Sequence, residues 1–308
     1  MGRDPGRLRQ EIAGRLIECG AIAVGFSRAG PVSAEAHGSF ARWVEEGKNG
    51  DMEWMRRHIP LRSHTDHVLA GAQTVISVAF SYAPREWRDP ALPMIACYAY
   101  GEDYHKALRK ILRPVVARFK EIYPGEWRIC IDSAPVAEKY WAIKTGIGKP
   151  GLNTLIVVPG AGSLCFLVEI LTTIDCMGES EEDIPTAFFA SSDNVVSTPG
   201  EEPLSAGKES GKPEEGSYDF CDGCGLCIKK CPGSALDGLG GIDARRCVNY
   251  LMIEHKGELT SEQREILQRA GNPAYGCDIC QRVCHLNRPV APTNVKPFLT
   301  PRSPHPNA

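Results

Sequence analysis

The sequence predicts a two-part chain: an α/β sheet covered by helices, then a small domain organised around cysteines. Three observations carry this. Apolar strand-like runs alternate with helical periodicity up to about residue 175, the pattern of a sheet layered with helices. That pattern stops at a Ser-, Glu-, Gly- and Pro-rich stretch over 176–217, a composition that reads as an acidic low-complexity insertion or linker. Beyond it lie eight of the thirteen cysteines.

The elements follow in order. Leu8, Ile12 and Leu16 share a helical face that stops at Gly20, a good C-terminal cap residue. Ala21–Phe26 reads as a short buried strand. Ser33 is placed to cap a helix running to about Glu46, and Asp51 another through Arg57. Thr74–Ser81 and Met94–Tyr98 are strand-like, and Tyr104–Arg118 is helical by periodicity. Trp127–Asp132 reads as a strand ending in Asp-Ser-Ala-Pro, with a helix resuming near Val136. Leu155–Val158 and Ser163–Thr173 are further apolar strands around a Pro-Gly-Ala-Gly turn. The stretch 290–308 has five prolines and no apolar period, so an extended tail is expected.

The second part, 218–289, is read from its cysteines. Cys221-x2-Cys224-x2-Cys227-x3-Cys231-Pro232 is followed by Cys247 and then Cys277-x2-Cys280-x3-Cys284. Three thiolates two residues apart on a tight loop can wrap one iron–sulfur cubane, and in two-cluster ferredoxins the fourth cysteine of such a run reaches the other cluster. On that rule Cys221, Cys224, Cys227 and Cys284 hold one [4Fe–4S] cluster. Cys231, Cys247, Cys277 and Cys280 hold the second. Zinc is the competing occupant, since it also uses C-x2-C pairs, but it does not require three cysteines at successive x2 spacing. Disulfides need an oxidising compartment, and charged residues interrupt any signal-like run over Met1–Cys19. Cys19, Cys97, Cys130, Cys165 and Cys176 sit in apolar surroundings and read as small buried hydrophobes.

Composition narrows the function classes. No apolar run in the 308 residues approaches a membrane span, and no lipidation motif is present, so a cytoplasmic protein without a membrane partner is expected. The net charge of −3 conceals an asymmetry: 177–219 holds eleven acids against Lys208 and Lys212, which leaves the remainder at +6. A basic body is compatible with a polyanionic partner. The acidic segment is expected to lie away from any such partner.

Several phrases carry a family resemblance. They are Asp132-Ser133-Ala134-Pro135-Val136-x-Glu138, Tyr98 through His105, and Asn153-Thr154 followed by Gly162-Ser163 and Glu169-Ile170-Leu171-Thr172. Asp243 through Cys247, Ile253 through Gly257 and Tyr275 through Gln281 belong with them. Together with the eight cysteines, these resemble the epoxyqueuosine reductases, the cobalamin and iron–sulfur enzymes of queuosine biosynthesis in tRNA. The likeness runs from about residue 8 to 290, in a short form without the C-terminal helical-repeat domain.

The resemblance implies a corrinoid-binding α/β domain followed by a ferredoxin-like one. Electrons pass through two [4Fe–4S] clusters to cobalamin, entering the cycle as cob(II)alamin, and the epoxide oxygen leaves as water. Asp132 matches the family's catalytic acid and faces the cofactor. Arg62, Asn153, Thr154, Asn249 and Lys256 match positions near the corrinoid. Glu138 is read as structural, and His105 as an ordinary helix residue rather than a cobalt ligand. The implied partners are tRNA carrying epoxyqueuosine at the wobble position and a low-potential electron donor, with the protein itself a monomer.

Departures are visible too. Lys149 and Pro150 stand where the family has an aromatic and an aliphatic residue, and Leu152 stands where a Lys is usual. Cys97 replaces an Arg, and His285 the Pro after the last cluster cysteine. Two alternatives stay open: a corrinoid iron–sulfur reductase of another substrate, similar to reductive dehalogenases, and a two-cluster electron carrier. The absence of a twin-arginine signal over residues 1–19 disfavours the former. The acid in the Asp-Ser-Ala-Pro phrase disfavours the latter.

Overall fold

The computed structural model describes residues 4–178, 186–190, 195–199, 220–288 and 290–299. Eight strands are β1 (Ala23–Arg28), β2 (Thr74–Ser81), β3 (Trp127–Cys130), β4 (Lys149–Pro150), β5 (Ile156–Val157), β6 (Cys165–Thr172), β7 (Thr186–Ala190) and β8 (Val195–Pro199). Five helices belong to the first part: α1 (Pro5–Glu18), α2 (Ala34–Glu45), α3 (Glu53–His58), α4 (Tyr104–Ile122) and α5 (Glu138–Lys144). The cysteine-bearing part adds α6 (Leu226–Lys230), α7 (Val248–Ile253), α8 (Ser261–Arg269) and α9 (Ile279–Arg282), and α10 (Lys296–Leu299) follows.

Six strands form one sheet in the order β3-β6-β2-β1-β7-β8, and every ladder in it is antiparallel. The expected mixed α/β architecture is present, but alternation of strands and helices does not produce parallel crossovers. Central β2 is buried at all eight positions, because helices cover both faces. On one side α1 and α4 bury Ile12, Leu16, Leu108, Leu112 and Phe119 against Val24, Phe26, Ile76 and Phe80. On the other, Trp141 of α5 packs with Val75, Cys130 and Leu171. Each such large side chain contributes about 1.5–3 kcal/mol by leaving water.

Four expectations need correction. Met94–Tyr98 is not a strand: Ile95 makes one isolated bridge to Tyr275, and Cys97–Ala99 is a 3₁₀ turn. Asp51 does not cap α3, whose N-cap is Met52; its carboxylate serves the second domain instead, as described below. The range 176–217 contributes β7 and β8 to the sheet, β7 pairing with β1 from Ala23↔Phe189 to Phe26↔Thr186. Its strand was hidden by acidic neighbours, yet Phe188 inserts into the core against Phe26 at a ring distance of 5.9 Å. Finally, 290–299 is not an extended tail. Val295 and Phe298 are buried in the main core, Phe298 lying 5.1 Å edge-on from Phe166. The other residues of 176–219, including all eleven of its acids, and 300–308 lie outside the described residues.

The cysteine-bearing part is bolted to the sheet domain by polar contacts, those at Asp278, Gln281 and Asn287 being buried. Asp51 Oδ2 accepts from Tyr250 Oη at 2.7 Å and from the Lys256 amide at 3.0 Å, with His255 Nδ1 at 3.0 Å. Asp278, 1% exposed, accepts from the Cys97 amide at 2.9 Å. Gln281 Nε2 donates to Tyr82 Oη and the Ser163 carbonyl, both at 2.8 Å. Asn287 Oδ1 accepts from the Ser163 amide at 2.7 Å.

Candidate active site

The site forms where β3 runs out. Ile131 is still buried, but Asp132 adopts φ +51, a left-handed conformation that costs a non-glycine residue about 1–3 kcal/mol. Helix α5 begins only at Glu138, and its N-cap position, Ala137, offers no side-chain bond. Asp132 is therefore no helix cap. Its amide instead donates to Glu138 Oε1 at 2.7 Å.

The turn leaves the Asp132 carboxylate 57% exposed, facing the start of α4. Its Oδ2 accepts from Tyr104 Oη at 2.9 Å and lies 3.1 Å from His105 Nε2. The opposite imidazole nitrogen, Nδ1, is 3.0 Å from Asp103 Oδ1. Asp103 also caps α4 through the His105 amide, so the imidazole is held from both sides. Tyr104 is sandwiched, stacking on Phe166 at 4.3 Å and on His105 at 4.0 Å.

Electrostatics concentrates here. Burial, together with the Asp132 charge and hydrogen bond, holds the Tyr104 phenol well above its ordinary range. At Asp103 the raising effect of burial is outweighed by the His105 hydrogen bonds, which keep it below the usual carboxylate value. Burial and then the neighbouring Asp132 charge push Glu138 up to about 7, although the Asp132 amide and Arg62 oppose this. Behind it, Glu169 on β6 is 0% exposed and is held far above a normal carboxylate by burial and by Glu138. Burial lowers Arg62, and the charges of Glu138 and Asp132 partly restore it.

The proposed corrinoid contacts fall in three places. Arg62 lies within the field of Asp132 and Glu138, its Nε buried without a hydrogen-bond partner and its guanidinium 5.0 Å over Phe40. Asn249 Oδ1 accepts from Tyr98 Oη at 3.3 Å, and Tyr98 in turn feels Asp132, which ties Asn249 to the same neighbourhood. Lys256 is anchored by its amide on Asp51. Asn153 and Thr154 sit apart from this group. Asn153 is 6% exposed, folds back on the Leu155 amide at 3.2 Å and lines a narrow cleft walled by Cys221, Cys224, Cys227 and Cys284. Thr154 takes φ +67 beside it.

The eight cysteines gather in two sets. Cys227 feels the charges of Cys221 and Cys284, and Cys284 those of Cys221 and Cys224. Cys277 feels Cys247 and Cys231, and Cys280 feels all three of these as well as Cys227. Burial pushes the Cys277 thiol up to about 12, so four such sulfurs become thiolates together only if cations neutralise them. At the solvent edge, His285 Nδ1 is 3.9 Å from Cys224 Sγ, and its Nε2 is 3.9 Å from Asp222.

Sequence reasoning missed how much of this site lies outside Asp132. His105, read as an ordinary helix residue, holds the acid; Glu138 and Tyr104 also touch it. The available signal was the Asp103-Tyr104-His105 phrase at a helix start, where a capping Asp orients the next turn.

A mixed α/β domain presenting an acid beside a two-set cysteine domain is the layout of an iron–sulfur oxidoreductase. Residues 62–133 match the family model described as Epoxyqueuosine reductase QueG, DUF1730, and residues 220–287 match the 4Fe-4S double cluster binding domain. The chain is 35% identical to the epoxyqueuosine reductase of Pseudomonas aeruginosa, over 96% of this chain and 73% of that protein. It is 32% identical to that of Escherichia coli, over 96% and 70%. Among solved structures, the epoxyqueuosine reductase of Streptococcus thermophilus matches with a TM-score of 0.68 at 26% identity, over 90% of this chain and 65% of that one. An epoxyqueuosine reductase solved with an epoxyqueuosine-modified tRNA-Tyr stem loop matches with a TM-score of 0.74 at 24% identity, over 97% and 70%. The chain belongs to the epoxyqueuosine reductase family.

Proposed function

We propose that this protein reduces epoxyqueuosine to queuosine in tRNA, with Asp132 as proton donor, two [4Fe–4S] clusters as the electron path and cobalamin at the reacting centre. The observation that carries this reading is the Asp132 carboxyl group, presented to solvent at a strained turn while Tyr104 and His105 grip one of its oxygens. Cys221, Cys224, Cys227 and Cys284 would hold one cluster, and Cys231, Cys247, Cys277 and Cys280 the other. The grouping of thiols in each other's field supports that division. The orphaned Nε of Arg62 and the Asn249–Tyr98 pair fit a ligand rimmed with amides, as a corrinoid is. Arg62, Asn249 and Lys256 are the residues proposed to hold it, whereas Asn153 lines the cleft of the first cysteine set. Cobalamin, when bound, supplies a metal centre that accepts single electrons and delivers two to the substrate.

The chain's own residues handle protons. Conversion of an epoxide to an alkene and water consumes two electrons and two protons, so an acid must face the departing oxygen. Asp132 is that acid. The His105 ring lies between two carboxylates, and its neutral form donates to only one of them. With Nδ1–H on Asp103, Nε2 is left as an acceptor for a protonated Asp132. With both nitrogens protonated, it donates to an ionised Asp132. The ring can therefore return a proton from solvent after each turnover. The +6 body supports a tRNA partner, and a low-potential donor would supply electrons to the monomer. Among the described residues no helix is long and apolar enough to cross a membrane.

The direct test is nucleoside analysis of tRNA from a strain lacking this gene and any second reductase. Accumulated epoxyqueuosine is expected, and fully formed queuosine would overturn the substrate. Reconstituted protein should show corrin absorbance after incubation with cobalamin and desalting.

A further inference from the structure

We propose that Glu138 is the positioning residue of the Asp132 turn: its carboxylate grips the Asp132 amide and thereby holds the acid toward Tyr104 and His105. Two independent observations carry this. The Asp132 amide donates to Glu138 Oε1 at 2.7 Å while Asp132 itself sits at φ +51, so one hydrogen bond opposes a strained backbone. Beneath, Glu169 occupies the sheet interior at 0% exposure opposite Ser77, and burial with the Glu138 charge holds it far above the usual carboxylate range. A wholly buried acid beside a second carboxylate stays protonated. The carboxylate next to it, Glu138, has solvent on one side and is the one that carries charge.

The grip is therefore sensitive to protonation. An ionised carboxylate binds an amide about twice as strongly as a neutral acceptor, and burial with Asp132 sets the transition of Glu138 to about 7. The groups facing Glu138 are Asp132 on the turn, Arg62 after α3, Lys139 on α5, Tyr104 on α4, Cys130 on β3 and Glu169 on β6. The Asp132 amide, Arg62 and Lys139 favour its charge; the others oppose it. Above pH 7 the turn is held firmly; below it, the hold weakens.

The proposal rests on Asp132 as the acid, and its test separates the two. Amide exchange at Asp132, corrected for intrinsic rate, is measured across pH 5.5–8.5 on the cluster-loaded protein by mass spectrometry. In the parent, protection should rise with a break near 7. Glu138→Gln, which keeps an oxygen acceptor but no charge, should abolish the break and leave protection at the parent's low-pH level. Glu138→Ala should exchange at least tenfold faster throughout. In parallel, the kcat profile for epoxyqueuosine reduction should lose its break near 7 in Glu138→Gln, with KM unchanged. A parent without the exchange break, or a Glu138→Gln protein that retains it, overturns the proposal even if Glu138→Ala fails to fold. If no variant or parent reduces epoxyqueuosine, the function fails while the exchange data still decide the role of Glu138.

Discussion

Asp132 and Glu169 show two fates for a carboxyl group on neighbouring strands. Asp132, at the end of β3, is offered to solvent with the Tyr104 hydroxyl donating to Oδ2 and His105 Nε2 3.1 Å from it. Glu169, opposite Cys130 in the β3–β6 ladder, is sealed inside. Asp132→Asn should keep the iron content and fold of the parent but lower kcat by about 10²–10⁴, the usual worth of a positioned acid. Turnover at the parent rate would remove Asp132 from the mechanism. For Glu169 the sign is that of a raised group. The folded state keeps a proton that the unfolded chain releases, so stability is greatest below pH 4.5 and declines as pH rises toward the folded value. Glu169→Gln should remove that decline. Relative to the parent it gains up to about 1.4 kcal/mol for each pH unit above 5, readable as a growing difference in anaerobic melting temperature.

Among elements, β1 and the loop before α3 are closely packed. A Cβ on Gly25 would stand 2.5 Å from the Thr145 carbonyl and 2.6 Å from Ile147 Cγ2, because α5 and its following turn lie directly on β1. Gly25→Ala should destabilise the sheet domain by about 1–3 kcal/mol, as overpacking does, measured by denaturant unfolding. Gly50, at φ +56, lies against the Tyr250 ring, and the adjacent Asp51 receives Tyr250, His255 and Lys256. Its hydrogen bonds from Lys256 and Tyr250 hold Asp51 below the usual carboxylate range. That stability is present above the unfolded pKa and lost as pH falls through the folded one. Asp51→Asn should cost about 1 kcal/mol, a charged hydrogen-bond set discounted for its exposure. The cost should shrink as pH falls below the usual carboxylate range; a cost that is unchanged there would assign it to packing instead.

At the scale of the whole molecule, the cysteine domain is fastened to the sheet domain at Asp51, Asp278, Gln281 and Asn287, and 290–299 returns to the first core. Two clusters held as proposed predict that Cys284→Ser and Cys231→Ser damage different ones. Each should halve bound iron, and the two variants should retain distinguishable electron paramagnetic resonance spectra. Identical residual spectra would refute the crossing of Cys231 and Cys284 between sets. Legibility was uneven for identifiable reasons. Helices α1, α2 and α4 could be read because a 3.6-residue apolar period and, for α2, the cap Ser33 are local signals. Strand β7 could not, since its flanks are acidic and only Phe188 meeting Phe26 makes it a strand. Asp51 was read as a cap because Asp before a helix usually is one, and its true partners are some 200 residues away.

What the sequence alone determined is therefore the chemistry that spacing encodes: the eight-cysteine pattern, the Asp132 phrase and the mixed α/β class. Those depend on neighbours within a few residues. The tertiary structure decided that the sheet is antiparallel, that Asn153 lines the cleft of Cys221, Cys224, Cys227 and Cys284, and that His105 and Glu138 contact Asp132 from α4 and α5. Long-range pairing and burial set these outcomes, and no residue carries the identity of its distant partner.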